Sequence, residues 1–152
     1  MTNAKSSAAP FHTSTDVAST PYEDPFLYRS TVGALQYATI TRPYNAFAVH
    51  KACQKMQHPS IVEWLAVKRI LRYLVRILSY GLQFKRAISL QLQAYSDADW
   101  TGDITDRRST SGLEIFFGPN LISWCSRKQK TVSRSSTEAE YLALENDTSE
   151  LA

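Results

Sequence analysis

The chain has 152 residues, 17 Lys+Arg against 14 Asp+Glu, and a hydrophobic share of 43%. That apolar content supports a packed core and excludes a wholly disordered chain, and the net charge of +3 permits a polyanionic partner without demanding one. Two cysteines, Cys53 and Cys125, exclude a disulfide framework, and no apolar run has the length of a membrane span or the layout of a signal peptide. A cytoplasmic or nuclear protein with reduced thiols and no membrane partner is expected.

In chain order, residues 1–26 are small and polar with Pro10, Pro21 and Pro25, and read as a flexible lead. Residues 30–40 suit a helix despite Gly33, Pro43 interrupts, and residues 45–57 place Ala46, Val49, Cys53 and Met56 at helical spacing. The clearest helix spans 60–78. Ser60 and Glu63 form an S-x-x-E capping box behind Pro59, and Gly81 supplies a stop. Its apolar Ile61, Trp64, Leu65, Leu71, Leu74, Val75 and Leu78 fall on one side, with Lys68, Arg69, Arg72 and Arg76 mostly on the other. After Gly81 the period changes. Residues 90–96 alternate as a half-buried strand, 101–110 form a loop, and 113–117 and 121–125 are two further strands around the Gly118-Pro119-Asn120 turn. Residues 127–134 are polar and basic, and a helix begins near Ser136. The whole reads as α+β, with helices first, then a three-stranded antiparallel meander, then a helix.

Two acidic pairs carry the chemistry. Asp97 and Asp99 lie two apart on a strand, so their carboxylates share a face. Like charges so placed repel unless a cation offsets them, and magnesium often takes one or two protein carboxylates plus phosphate oxygens. The plainer reading is a strand-end turn in which aspartates bond backbone amides. Glu138 suits a capping box with Ser135 or Thr137, whereas Glu140 borders a stripe of Tyr141, Leu142 and Leu144 and can face a strand acid. Asp97 and Glu140 make a candidate metal and catalytic pair. Two-metal phosphodiester hydrolysis needs several carboxylates around ions about 4 Å apart, more than these two supply. His12, His50 and His58 lack metal-ligand spacing, and no nucleophile elbow or phosphate-cradling loop occurs. Lys68, Arg69, Arg72 and Arg76, with Arg127, Lys128, Lys130 and Arg134, are either solvated cations or contacts to nucleic-acid phosphates.

From about Thr20 the chain resembles the end of the reverse transcriptase region and the start of the ribonuclease H domain of copia-type LTR retrotransposon polyproteins. The blocks that carry the resemblance are YRSTVGALQYATITRP (28–43), VKRILRYL (67–74), YSDADWTGD (95–103), DRRSTSG (106–112) and LISWCSRKQKTVSRSSTEAEYLAL (121–144). It implies that residues 27–84 form a thumb- or connection-like helical region and residues 85–152 the N-terminal half of a ribonuclease H-like fold. It implies that Asp97 matches the first catalytic aspartate and Glu140 the helix glutamate of a site that, with two later aspartates, holds Mg²⁺ or Mn²⁺ and cuts RNA in an RNA–DNA hybrid. No C-D-N type strand follows Glu140, and no Y-V-D-D type hairpin precedes. A truncated, catalytically inactive fragment is therefore expected, or alternatively a nucleic-acid-binding remnant that uses 60–78 and 127–134. Tyr44, Glu63 and Val75-Arg76-Ile77 depart from the family pattern, and the last removes a glycine where a helix should turn.

Overall fold

Asp24 starts the first helix, because its Oδ1 accepts the Leu27 N–H at 2.8 Å and Pro25 fills the first helical position. A computed structural model describes residues 7–11, 20–103 and 106–151, so His12 lies outside the described residues. In order these form α1 (Pro25–Ala38), a short 3₁₀ turn (Pro43–Asn45), α2 (Ala46–Cys53), α3 (Ile61–Arg76), β1 (Leu92–Asp99), β2 (Thr110–Phe117), β3 (Asn120–Lys128) and α4 (Ser136–Leu151). The fold is α+β, as the change of period implies. The chain divides into two units, Met1–Gly81 and Leu82–Ala152.

In the helical unit, α1 buries Tyr28, Val32 and Leu35 at helical spacing against Ala48, Val49 and Ala52 of α2 and Val67 and Ile70 of α3. The Tyr28 hydroxyl donates to the Ala52 carbonyl at 2.9 Å, which ties α1 to α2. Burial, with smaller contributions from Glu63 and Cys53, pushes its phenol pKa above the ordinary range. The Ser60–Glu63 capping box forms as expected.

Three details differ from the sequence reading. The buried stripe of α3 runs Trp64, Val67, Ile70, Leu71 and Leu74, which leaves Ile61, Leu65, Val75 and Leu78 exposed. Ile61 and Leu65 are rotated off that stripe at 100° per residue, and Leu78 lies past the helix end. The helix stops at Arg76, where Ile77 is buried and its carbonyl accepts the Tyr80 N–H at 2.9 Å, so Gly81 is not the stop. The supposedly flexible lead makes specific contacts where it is described. Tyr22 N–H donates to the Pro59 carbonyl at 2.9 Å, its ring stacks on Trp64, and Phe11 meets Phe47 edge-on. Residues 1–6 and 12–19 lie outside the described residues.

In the second unit the strands form an antiparallel meander in the order β1-β2-β3, and Gly118 takes the left-handed conformation that the β2–β3 turn requires. β2 begins at Thr110 and β3 runs on to Lys128, so both extend into stretches that read as polar loop. α4 packs on β1 and β2. It buries Ala139, Ala143 and Asp147, while Leu113 and Ile115 are buried on β2. Tyr141 and Leu144 point outward at 69% and 52% exposure, so the expected apolar stripe of α4 is not its buried face. β1, an edge strand of this sheet, is exposed along most of its length rather than half-buried. No helix among the described residues is long and apolar enough to cross a membrane.

Candidate metal and nucleic-acid site

The strand alternation sets the acids of β1. Asp97 stands opposite Gly112 and Asp99 opposite Thr110, so the two share a face, as their spacing predicts. Both are exposed. Their roles then part. The Asp99 carboxylate lies over Gly102, where a Cβ would collide with it, and Gly102 N–H reaches back to the Asp99 carbonyl at 3.4 Å. Asp99 is thus built into the turn that ends β1. Asp97 is exposed and stands across from Gly112, which has no side chain.

On α4 the glutamates separate in the same way. Glu138 N–H donates to Ser135 Oγ at 3.1 Å, and its carboxylate accepts the Arg134 N–H at 2.7 Å. It serves the helix start, as expected. Glu140 is exposed and lies three and seven residues before the buried Ala143 and Asp147, so it extends their face toward the helix N-terminus. That face is the one turned to the sheet. Ser96 and Ala98 pair with Leu113 and Ser111 on the covered side, so Asp97 alternates to the other side of the edge strand. Among the described residues no group of three His, Cys, Asp or Glu is placed to hold a metal ion.

Sequence reasoning missed what holds this junction together. Gln129 is buried directly after β3. Its Nε2 donates to Ser111 Oγ at 2.9 Å and to the Ala139 carbonyl at 2.8 Å, and its Oε1 accepts from Ser133 Oγ at 3.1 Å. Gln129 N–H also donates to the Ser109 carbonyl at 2.9 Å, and Trp100 Nε1 donates to the Ser133 carbonyl at 3.1 Å. A lone glutamine among basic residues has no periodic signal, so the segment read only as a charge run.

The basic residues fall into two groups. In α3, Lys68 and Arg76 are exposed, Lys68 Nζ lies 5.5 Å from the Trp64 ring centroid, and Arg69 Nε donates to the Ala9 carbonyl at 3.2 Å. Arg72 is half-buried, and its buried Nε has no hydrogen-bond partner. In the second unit, Arg127 pairs with Glu150 at 2.7 Å, and Lys128 lies 2.6 Å from Asp103 and 2.8 Å from Asp106. Burial works to lower the Lys128 pKa, but the hydrogen bonds to the two aspartates outweigh it and hold the ammonium above its ordinary value. The bond from Lys128 likewise draws Asp106 below the usual carboxylate range. Lys130 and Arg134 are exposed. The charge is unequally divided, with nine Lys+Arg against four Asp+Glu in residues 1–81 and eight against ten in residues 82–152.

Known proteins place the chain. It is 46% identical, over 99% of its length, to the retrovirus-related Pol polyprotein from transposon RE2 of Arabidopsis thaliana. It is 44% identical, over 96% of its length, to an uncharacterized mitochondrial protein of the same plant. The chain is homologous to copia-type retrotransposon Pol polyproteins over nearly its whole length. It spans 11% of the RE2 polyprotein and 61% of the mitochondrial relative. Another relative, secreted RxLR effector protein 161 of Plasmopara viticola, is 48% identical over 81% of this chain and 87% of its own length. Thus a stretch close to this one also makes up most of a far shorter protein. No protein-family profile and no solved structure matches the chain.

Proposed function

We propose that this chain is a portion of a copia-type Pol polyprotein from the reverse transcriptase–ribonuclease H region. Residues 27–84 are thumb- or connection-like and residues 85–152 form the front of a ribonuclease H-like domain. Asp97 and Glu140 supply one side of its Mg²⁺ or Mn²⁺ site. The observation that supports this best is the order of elements around the acids. A three-stranded meander with Asp97 on its first strand is followed directly by a helix that packs on that strand and carries Glu140 near its start.

The donor set fits such an ion only in part. Two exposed carboxylates are hard oxygen ligands of the kind magnesium takes, with water and substrate phosphates as the remaining ligands. They cannot fix two ions. Asp97 and Glu140 are the residues that would hold the ion, with Asp97 on the face of β1 away from α4. When bound, the metal would activate water and stabilise the leaving oxygen. The two acids would hold one side of the ion, and a site of these two carboxylates alone is expected not to cleave a hybrid. The test is a labelled RNA–DNA hybrid incubated with the purified chain and Mg²⁺ or Mn²⁺. Cleavage abolished by both Asp97→Asn and Glu140→Gln would show the inactivity claim to be wrong. Loss of Mn²⁺ binding in neither variant would remove the metal site.

A second reading, a nucleic-acid-binding remnant, is favoured by the charge division. Between Pro25 and Arg76 the sole acid is Glu63, and it is occupied by the capping box. Phosphate contact is therefore assigned to the helical unit through Lys68, Arg69, Arg72 and Arg76, with Lys130 and Arg134 secondary. Hybrid affinity measured across a salt series tests this, since phosphate contacts give a steep fall with salt.

A further inference from the structure

We propose that Gln129 is the positioning residue that fixes Glu140 relative to Asp97. A short polar path joins the two acids. Asp97 precedes Ala98, and Ala98 pairs across the sheet with Ser111. Ser111 Oγ accepts from Gln129 Nε2 at 2.9 Å, and the same nitrogen donates at 2.8 Å to the carbonyl of Ala139, the residue bonded to Glu140. Ser133 Oγ closes the other end of the carboxamide at 3.1 Å.

The chemistry of this position demands a carboxamide. Both Nε2 hydrogens are used and Oε1 is occupied, so the side chain has no spare donor. A glutamate offers no donor to the Ala139 carbonyl. A methionine of similar length leaves Ser111 Oγ and Ser133 Oγ without this partner in a site where Gln129 is 6% exposed. The backbone of Gln129 is anchored separately, through its N–H to the Ser109 carbonyl. The carboxamide therefore sets where the first turn of α4 sits over the end of β2. The consequence for metal binding rests on the reading of Asp97 and Glu140 as a metal-site pair; the geometric claim does not.

The experiment uses the full chain with Cys53→Ser and Cys125→Ser, and Ala98→Cys, on the face of β1 turned to α4, with Glu140→Cys. It reads the yield of cross-linking by a short bifunctional thiol reagent. Gln129→Met should lower the yield several-fold, and Ser133→Ala, which removes one bond only, should lower it less. Val32→Ala loosens the core of the helical unit instead and should leave the yield unchanged. In parallel, Mn²⁺ affinity of the chain with its native acids should fall about tenfold with Gln129→Met, as is usual when a group that orients metal ligands is lost. An equal yield with and without Gln129→Met, or no cross-link while Gln129 is in place, would overturn the proposal. A fall in yield in a chain that binds no Mn²⁺ leaves the positioning role standing and removes the metal reading instead.

Discussion

Lys128 Nζ lies 2.6 Å from Asp103 Oδ2, and it reaches Asp106 as well, so one ammonium closes the loop between β1 and β2. The Lys128 and Asp103 side chains are 18% and 16% exposed, which sets this pair apart from a solvated surface ion pair. Lys128→Met should cost about 1 to 3 kcal/mol, because it leaves two neighbouring carboxylates without the ammonium between them. Urea unfolding of the variant measures this.

The same clamp gives a pH dependence with a definite sign. Asp106 is held below its ordinary pKa, so its contribution is present above the unfolded value and is lost as pH falls through the folded one. Lys128 is held above its ordinary pKa, so its contribution is present below about pH 10.4 and is lost as pH rises past that value. Melting temperatures should fall below about pH 4 and again in strong alkali. In Lys128→Met both of these slopes should be shallower. Parallel profiles for the two proteins would refute the clamp.

Asp147 should be a liability to the second unit. It is 5% exposed on the face of α4 turned to the sheet, and its Oδ2 has no hydrogen-bond partner among the described residues. Asp147→Ala removes an unsatisfied buried oxygen and adds the strongest helix former. A gain of about 1 to 3 kcal/mol is expected in denaturant unfolding. A loss would mean that the carboxylate has a stabilising role.

Elements are legible where the chain repeats a period, and side-chain roles are not. The switch from helical spacing to alternation near Gly81 locates the meander, and S-x-x-E locates the starts of α3 and α4. Leu65 and Val75 of α3, and Tyr141 and Leu144 of α4, read as core residues yet stay exposed. In α3 the exposed residues are rotated off the stripe set by Val67 and Ile70, and in α4 the small Ala139 and Ala143 fit the close approach of helix to sheet. Hydrophobicity alone favours the larger residues. Asp97 and Glu140 are singled out by the family resemblance, whereas Gln129 works through contacts between segments that no local pattern encodes.

Asp99 offers a check on which acid of β1 binds the proposed ion. Its carboxylate occupies the space over Gly102, so Gly102→Ala must push it aside. If Asp97 is the ligand and Asp99 belongs to the turn, Gly102→Ala should cost about 1 kcal/mol of stability and leave Mn²⁺ affinity unchanged. A drop in affinity matching that of Asp97→Asn would transfer the ligand role to Asp99.

The final prediction separates cations that are open to phosphate from those already engaged. Lys68 and Arg76 are exposed on the basic unit, whereas Arg127 pairs with Glu150 at 2.7 Å in a unit with more acids than bases. A residue that contacts phosphate contributes about 0.7 to 0.9 to the slope of log affinity against log salt. Lys68→Gln and Arg76→Gln should therefore each reduce the slope for an RNA–DNA hybrid by nearly that amount, and Arg127→Gln should not. Fluorescence anisotropy over a salt series reads all three. A slope that changes only with Arg127→Gln would move the nucleic-acid contact to the sheet unit and remove the helical unit from the binding surface.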